Sequence, residues 1–124
     1  MDMKTESEIV IDIAREFMEL IPELAPTWSK AYFRFSMDVS GHGSNASYAS
    51  GSSVVIIDPF KNATFFAKAN AKGVELLNKL QKKRGVVLVQ IDSNFNYEVK
   101  FEFDDLERWR ISKLNGGTGI PQGL

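Results

Sequence analysis

Apolar residues near the start of the chain recur at helical intervals: Ile9, Ile13, Phe17 and Leu20, with Val10, Ala14 and Ile21 widening the stripe. Such spacing predicts an amphipathic helix with one core-facing side. Thr5-x-x-Glu8 precedes it with the spacing of a capping box, in which two otherwise unpaired N–H groups are satisfied reciprocally. Pro22 and Pro26 are expected to end the helix, because proline lacks the donor and crowds the preceding turn. From Trp28 the period falls to two. Ala31, Phe33, Phe35, Met37 and Val39 share one face, and Tyr32, Arg34, Ser36 and Asp38 the other. A half-buried strand follows from that alternation.

The next stretch, Ser40–Ser47, reads SGHGSNAS and is expected to be a loop. Tyr48–Ala49 could pair as a short strand, and Ser53–Ile57 is β-branched and strand-like. Asp58-Pro59 with Lys61-Asn62 predicts a turn. Ala63–Phe66 is taken as a further strand. A helical stripe then runs through Ala71, Val74, Leu77 and Leu80, with Asn70 as N-cap and Gly85 just past the end. Val86–Asp92 is apolar on both faces, as a central strand requires. After the turn residues Ser93–Asn96, Tyr97, Val99, Phe101 and Phe103 alternate with Glu98, Lys100 and Glu102. The two strands predict an antiparallel hairpin. Asp104 or Asp105 could cap a last short helix carrying Leu106, Trp109, Arg110 and Leu114. The expected fold is α+β: an antiparallel sheet of about four to six strands, with helices on one face. Residues 1–114 are expected to form one domain and 115–124, NGGTGIPQGL, a flexible tail.

Composition narrows the chemistry. The 124 residues are enough for one self-sufficient core, and 44% apolar with 25% charged residues is ordinary for a globular chain. With no Cys, thiol nucleophiles, zinc ribbons and iron–sulfur sites are excluded. A net charge of −1 argues against a general nucleic-acid or anionic-membrane binder. The polar, acidic start Met1–Glu8 lacks the pattern of a secretory signal, and no apolar run approaches a bilayer span. A soluble, cytoplasmic protein is expected.

No catalytic, cofactor-binding or metal-binding residue is expected. His42, in Gly41-His42-Gly43-Ser44, is the single histidine and has no second His or Cys to complete a usual metal site. No serine sits in a Gly-x-Ser-x-Gly elbow, and neither glycine-rich stretch ends in the Lys-Ser/Thr of a phosphate-cradling loop. Lys79, Lys82, Lys83 and Arg84 gather where positive charge complements a helix C-terminus. The acidic set Glu98, Glu102, Asp104, Asp105 and Glu107 is the more informative group. It could be a solvated sheet face with a helix cap, a patch for a basic partner, or a divalent-metal site.

The order of these elements resembles the YezG-like family of small bacterial immunity proteins. The likeness rests on the first helix ending Leu20-Ile21-Pro22, the strand start at Trp28–Tyr32, the polar segment from His42 to Tyr48, and the Leu-rich helix Val74–Leu80. It rests above all on the aromatic–acidic strand Phe95–Leu106, closed by Trp109. The resemblance implies a non-catalytic antidote. Its partner would be the cognate C-terminal toxin domain, often a nuclease, of a contact-dependent or polymorphic toxin system, with no direct nucleic-acid or membrane binding. Glu98, Glu102, Asp104, Asp105 and Glu107 are the expected contact residues, with the His42 loop as a second surface. The alternatives are a small-ligand or peptide-binding adaptor with an aromatic pocket at Phe33 or Phe101, and a metal-dependent phosphodiesterase built on the acidic cluster.

Overall fold

The computed structural model describes residues 4–124; Met1 to Met3, part of the polar start, lie outside the described residues. The chain runs α1 (Glu6–Leu24), β1 (Trp28–Asp38), β2 (Gly41–Ser50), β3 (Ser53–Ile56), α2 (Ala63–Lys79), β4 (Gly85–Asp92) and β5 (Tyr97–Glu102). The five strands form one antiparallel sheet in the order β3-β2-β1-β4-β5. The α+β class and the single antiparallel sheet are as expected. No helix among the described residues is long and apolar enough to cross a membrane.

The capping box forms: Thr5 Oγ1 accepts from the Glu8 N–H while Glu8 Oε1 accepts from the Thr5 N–H. Ile9, Ile13, Phe17 and Ile21 are buried along the predicted face. Each contributes roughly 1.5–3 kcal/mol by leaving water. Pro22 does not end α1, which continues to Leu24 before Ala25 caps it. So close to the C-terminus, the missing N–H removes one bond in the last turn only.

Two sequence expectations fail between β1 and α2. Of the Gly/Ser segment Ser40–Ser47 only Ser40 is in a turn; Gly41–Ser47 belongs to β2, which pairs with β1 from Asp38↔Gly41 to Trp28↔Ser50. The backbone of β1 supplies the hydrogen bonds, so the segment needs no apolar side chains of its own to be a strand. Asp38 Oδ1 accepts from both the N–H and the hydroxyl of Ser40 and fixes the tight turn. That turn carries Val39, expected on the core face, out to 94% exposure. Ala63–Phe66 is likewise not a strand but the first turn of α2. Phe65 and Phe66 reach the core at helical spacing with Ala69, Gly73, Leu76 and Leu77. Phe65 packs against Phe17 at 5.5 Å and Phe33 at 5.7 Å between ring centroids. Asn62, rather than Asn70, is the N-cap position, and Ala71 is exposed. Gly85 opens β4; the left-handed position after α2 is taken by Gln81, at φ 58°. Behind the helix, Asp58 holds the predicted turn by accepting from the N–H groups of Phe60 and Lys61.

The helices cover one face of the sheet, over Ala31, Phe33, Phe35, Val87, Val89 and Ile91. The other face is covered too, by residues 103–124. They form no α-helix; apart from a 3-10 turn at Leu114–Gly116 they run as an irregular strap. Trp109 and Ile111 pack on Tyr32, Val86 and Leu88, with Leu106 and Ile120 alongside. The expected tail, 115–124, lies against the sheet: Ser47 Oγ donates to the Gly119 carbonyl at 2.6 Å, and the Gln122 N–H to the Arg110 carbonyl. Gly119 and Pro121 are buried. The expected last helix is replaced because side chains take its backbone groups. Glu102 Oε2 accepts the N–H groups of Asp104 and Asp105, and Arg34 donates to the carbonyls of Leu106 and Arg108. Trp109, at φ 61°, then turns the chain onto the sheet.

Candidate interaction surface

β5 is an edge strand, paired only with β4. Its register places Tyr97, Val99 and Phe101 opposite Ile91, Val89 and Val87, on the helix side of the sheet. The helices do not reach over them fully. Tyr97 is 48% and Phe101 38% exposed, and Phe95, in the turn before the strand, is 69% exposed. Asp92 builds that turn: its Oδ1 accepts from the N–H groups of Asn94 and Asn96, and these bonds hold its carboxyl below the usual range. Phe95 sits at φ 65°, a conformation uncommon for a bulky residue. A shallow groove of about 280 Å³ runs between this aromatic ledge and α1, lined by Val10, Leu80, Tyr97, Val99 and Phe101 with Glu6 and Glu98 at its margin. Phe101 thus borders a surface groove. Phe33 is fully buried in the core.

The five predicted acidic residues differ in what they do. Glu102 is occupied within the chain. Its Oε1 accepts from Arg108 at 2.6 Å and its Oε2 from two backbone N–H groups; the Arg108 bond first, then the N–H groups of Asp104 and Asp105, hold its carboxyl down to about 2. The Arg108 guanidinium also lies 4.6 Å over the Trp109 ring. Asp105 Oδ1 accepts from the Glu107 N–H, and Glu107 pairs with Arg110 at 2.9 Å. Glu98 lies 4.0 Å from Lys100. The patch is therefore interleaved with Lys100, Arg108 and Arg110. Among the described residues no three His, Asp or Glu side chains converge on a point that could hold a metal ion.

His42 lies in β2 opposite Met37, not on a loop, and its ring centroid is 5.9 Å from that of Phe35. It also borders a cleft of about 520 Å³, together with Arg34, Ser36, Asp38, Gly43, Glu107 and Arg110. The strap thus brings two expected contact residues, His42 and Glu107, to one feature. Arg34 and Arg110 were not expected there. Arg34 showed only as one polar position of an alternating strand, and nothing in the local pattern announces that the strap will lie beside it. No family model matches the chain, and no curated protein matches it in sequence.

Proposed function

We propose that this protein is a non-catalytic immunity protein that binds a cognate toxin domain of a contact-dependent or polymorphic toxin system, a nuclease being the expected class, and occludes its working surface. The observation that carries the reading is the row of uncovered aromatics at the β5 edge, Phe95, Tyr97 and Phe101, beside the charged row Glu98 and Lys100. Exposed aromatic surface of this kind marks interaction sites, and aromatic residues are the usual anchors of tight interfaces. Glu98 stands at its margin, and Asp104, Asp105 and Glu107 add acidic surface beyond the end of β5, which suits charge-steered association with a basic partner. The resemblance to YezG-like immunity proteins names the kind of partner. Glu102 acts in the fold of the strap rather than in contact.

The test is co-expression with the product of a toxin-sized reading frame immediately upstream of the gene. Rescue of growth and co-purification in a fixed stoichiometry are expected. A Tyr97→Ala/Phe101→Ala double variant that remains folded should lose both. No rescue and no co-purification with the upstream product would overturn the reading; rescue that survives the double variant would remove the β5 surface from it.

A further inference from the structure

Two clefts of about 520 and 320 Å³ open side by side on the strap face of the sheet, and Arg34, Ser36, Gly43 and Arg110 line both. Arg34 projects from β1 into a half-buried position, where burial weakens its hold on its proton. Its Nε and Nη2 donate to the carbonyls of Arg108 and Leu106 at 2.9 and 2.6 Å. Carbonyl oxygens satisfy donors but do not neutralise charge. No carboxylate of the described residues lies within 4.0 Å of this guanidinium. Of the five N–H donors that a guanidinium carries, three remain.

The two carboxylates bordering the larger cleft already have partners other than Arg34. Asp38 accepts from the N–H and hydroxyl of Ser40, which hold its carboxyl below the usual range. Glu107 pairs with Arg110, three residues on, in an exposed contact. Exposed pairs of this type contribute little, so Arg110 exchanges partners readily. The floor is open: a Cβ built on Gly43, which faces Ser36 across the β1–β2 pair, meets nothing within 4 Å. Glu107 and Asp105 act on Arg34 through space without touching it. A half-buried cation with no carboxylate in contact, a second exchangeable guanidinium and an unfilled floor make a place shaped for negative charge.

We propose that the cleft between β1, β2 and the strap binds a single oxyanion, a carboxylate or a phosphate group, held between Arg34 and Arg110. The inference does not rest on the toxin-binding reading: the cleft lies on the face of the sheet opposite the aromatic ledge, and of the residues assigned to that reading Glu107 alone borders it.

The experiment is thermal unfolding and titration calorimetry with inorganic phosphate and, separately, N-acetylaspartate, at ionic strength held constant with chloride. Saturable stabilisation in the millimolar range by at least one probe is expected. A preference for phosphate assigns a free or small-molecule phosphate as the source; a preference for the carboxylate assigns an acidic side chain of a protein partner. Arg110→Gln should weaken binding about tenfold, the usual cost of one charge-assisted hydrogen bond. Gly43→Glu supplies a carboxylate from the floor and should abolish the response to both probes, whereas Gly43→Gln should retain it. Arg34 is left intact because it also holds the strap. Unfolding that follows ionic strength alone with both probes would overturn the proposal. So would saturable binding that persists unchanged in both Arg110→Gln and Gly43→Glu.

Discussion

Gly73 of α2 packs directly against the Phe35 ring of β1, and replacing it with Ala tests that packing. A Cβ at this position would lie 2.7–2.8 Å from three carbons of the Phe35 ring, where ordinary contact is 3.4–4 Å. Phe35 is fully buried in the middle of β1, with its ring also against His42, so it has little room to retreat. Two effects compete in Gly73→Ala. Alanine is the better helix former by about 1 kcal/mol. Forcing a methyl into a filled core costs about 1–3 kcal/mol. With three ring carbons inside the contact limit, the cost should lie in the upper part of that range and leave a net loss of up to about 2 kcal/mol. A chain of this size then loses roughly 3–5 °C in Tm for each kcal/mol. Thermal and urea unfolding of Gly73→Ala, Phe35→Leu and the double variant form a cycle. The double variant should be more stable than the two single losses predict, by about 0.5–3 kcal/mol, because the smaller side chain at 35 accepts the new methyl. A Gly73→Ala variant as stable as the parent, or strict additivity in the cycle, would refute the reasoning.

Glu102→Gln should flatten the acid limb of the stability profile. In the folded chain the Glu102 carboxyl is held down to about 2, against an ordinary value of 4.5, so its contribution is complete above about pH 4.5 and is lost as pH falls towards 2. Urea midpoints measured across that window should converge for parent and variant at the acid end; parallel profiles would show that the carboxylate does not hold the strap. Trp109→Ala should cost about 3–5 kcal/mol, as large-to-small changes at buried aromatics do, with urea denaturation as the measure. Truncation after Lys113 removes the carbonyl that receives the Ser47 hydroxyl and should cost about 1–3 kcal/mol, partly recovered by Ser47→Ala in the same background; an unchanged urea midpoint would mean that residues 114–124 add nothing to the fold.

Where one face of an element is apolar, periodicity located it: α1, β1 and β5 lie where the spacing of Ile9–Ile21, Ala31–Met37 and Tyr97–Phe101 puts them, and β4 lies where the run Val86–Ile91 is apolar on both faces. Elements set by partners from distant sequence were not legible. β2 has no apolar stripe because its outward residues bind backbone instead: Asn45 donates to the Ile111 carbonyl and Ser47 to the Gly119 carbonyl, both some seventy residues on. Glycine and serine in that segment therefore looked like loop composition. The start of α2 was misread because Phe65 and Phe66 are adjacent and β-prone, while the helical spacing that places them shows only when Ala69 and Gly73 are counted as core. The strap was misread for a third reason. Its backbone groups are claimed by Glu102 and Arg34, long-range hydrogen bonds that no local propensity reports. The acidic set was visible as residues, and its division into one structural carboxylate and a partly paired rim was not.

That division decides which substitutions can report on binding. Reversing Glu102 would place a cation beside Arg108 and release the N–H groups of Asp104 and Asp105, so loss of binding could come from loss of the strap alone. Glu98 has no such duty. It lies on the β5 edge at the margin of the aromatic groove, and its one ion pair, with Lys100, is a 4.0 Å exposed contact of little worth. Glu98→Lys should therefore leave the unfolding profile within about 0.5 kcal/mol of the parent. If a basic toxin face docks on this edge, the same change should slow association and reduce its dependence on salt, with a smaller effect on dissociation. Tyr97→Ala should act in the opposite sense, shortening the life of the complex with little change in its rate of formation, because an anchor is felt after docking. Stopped-flow association and dissociation rates at two ionic strengths separate the two roles. Equal effects of both substitutions on the same rate would reject the assignment of steering to Glu98 and anchoring to Tyr97.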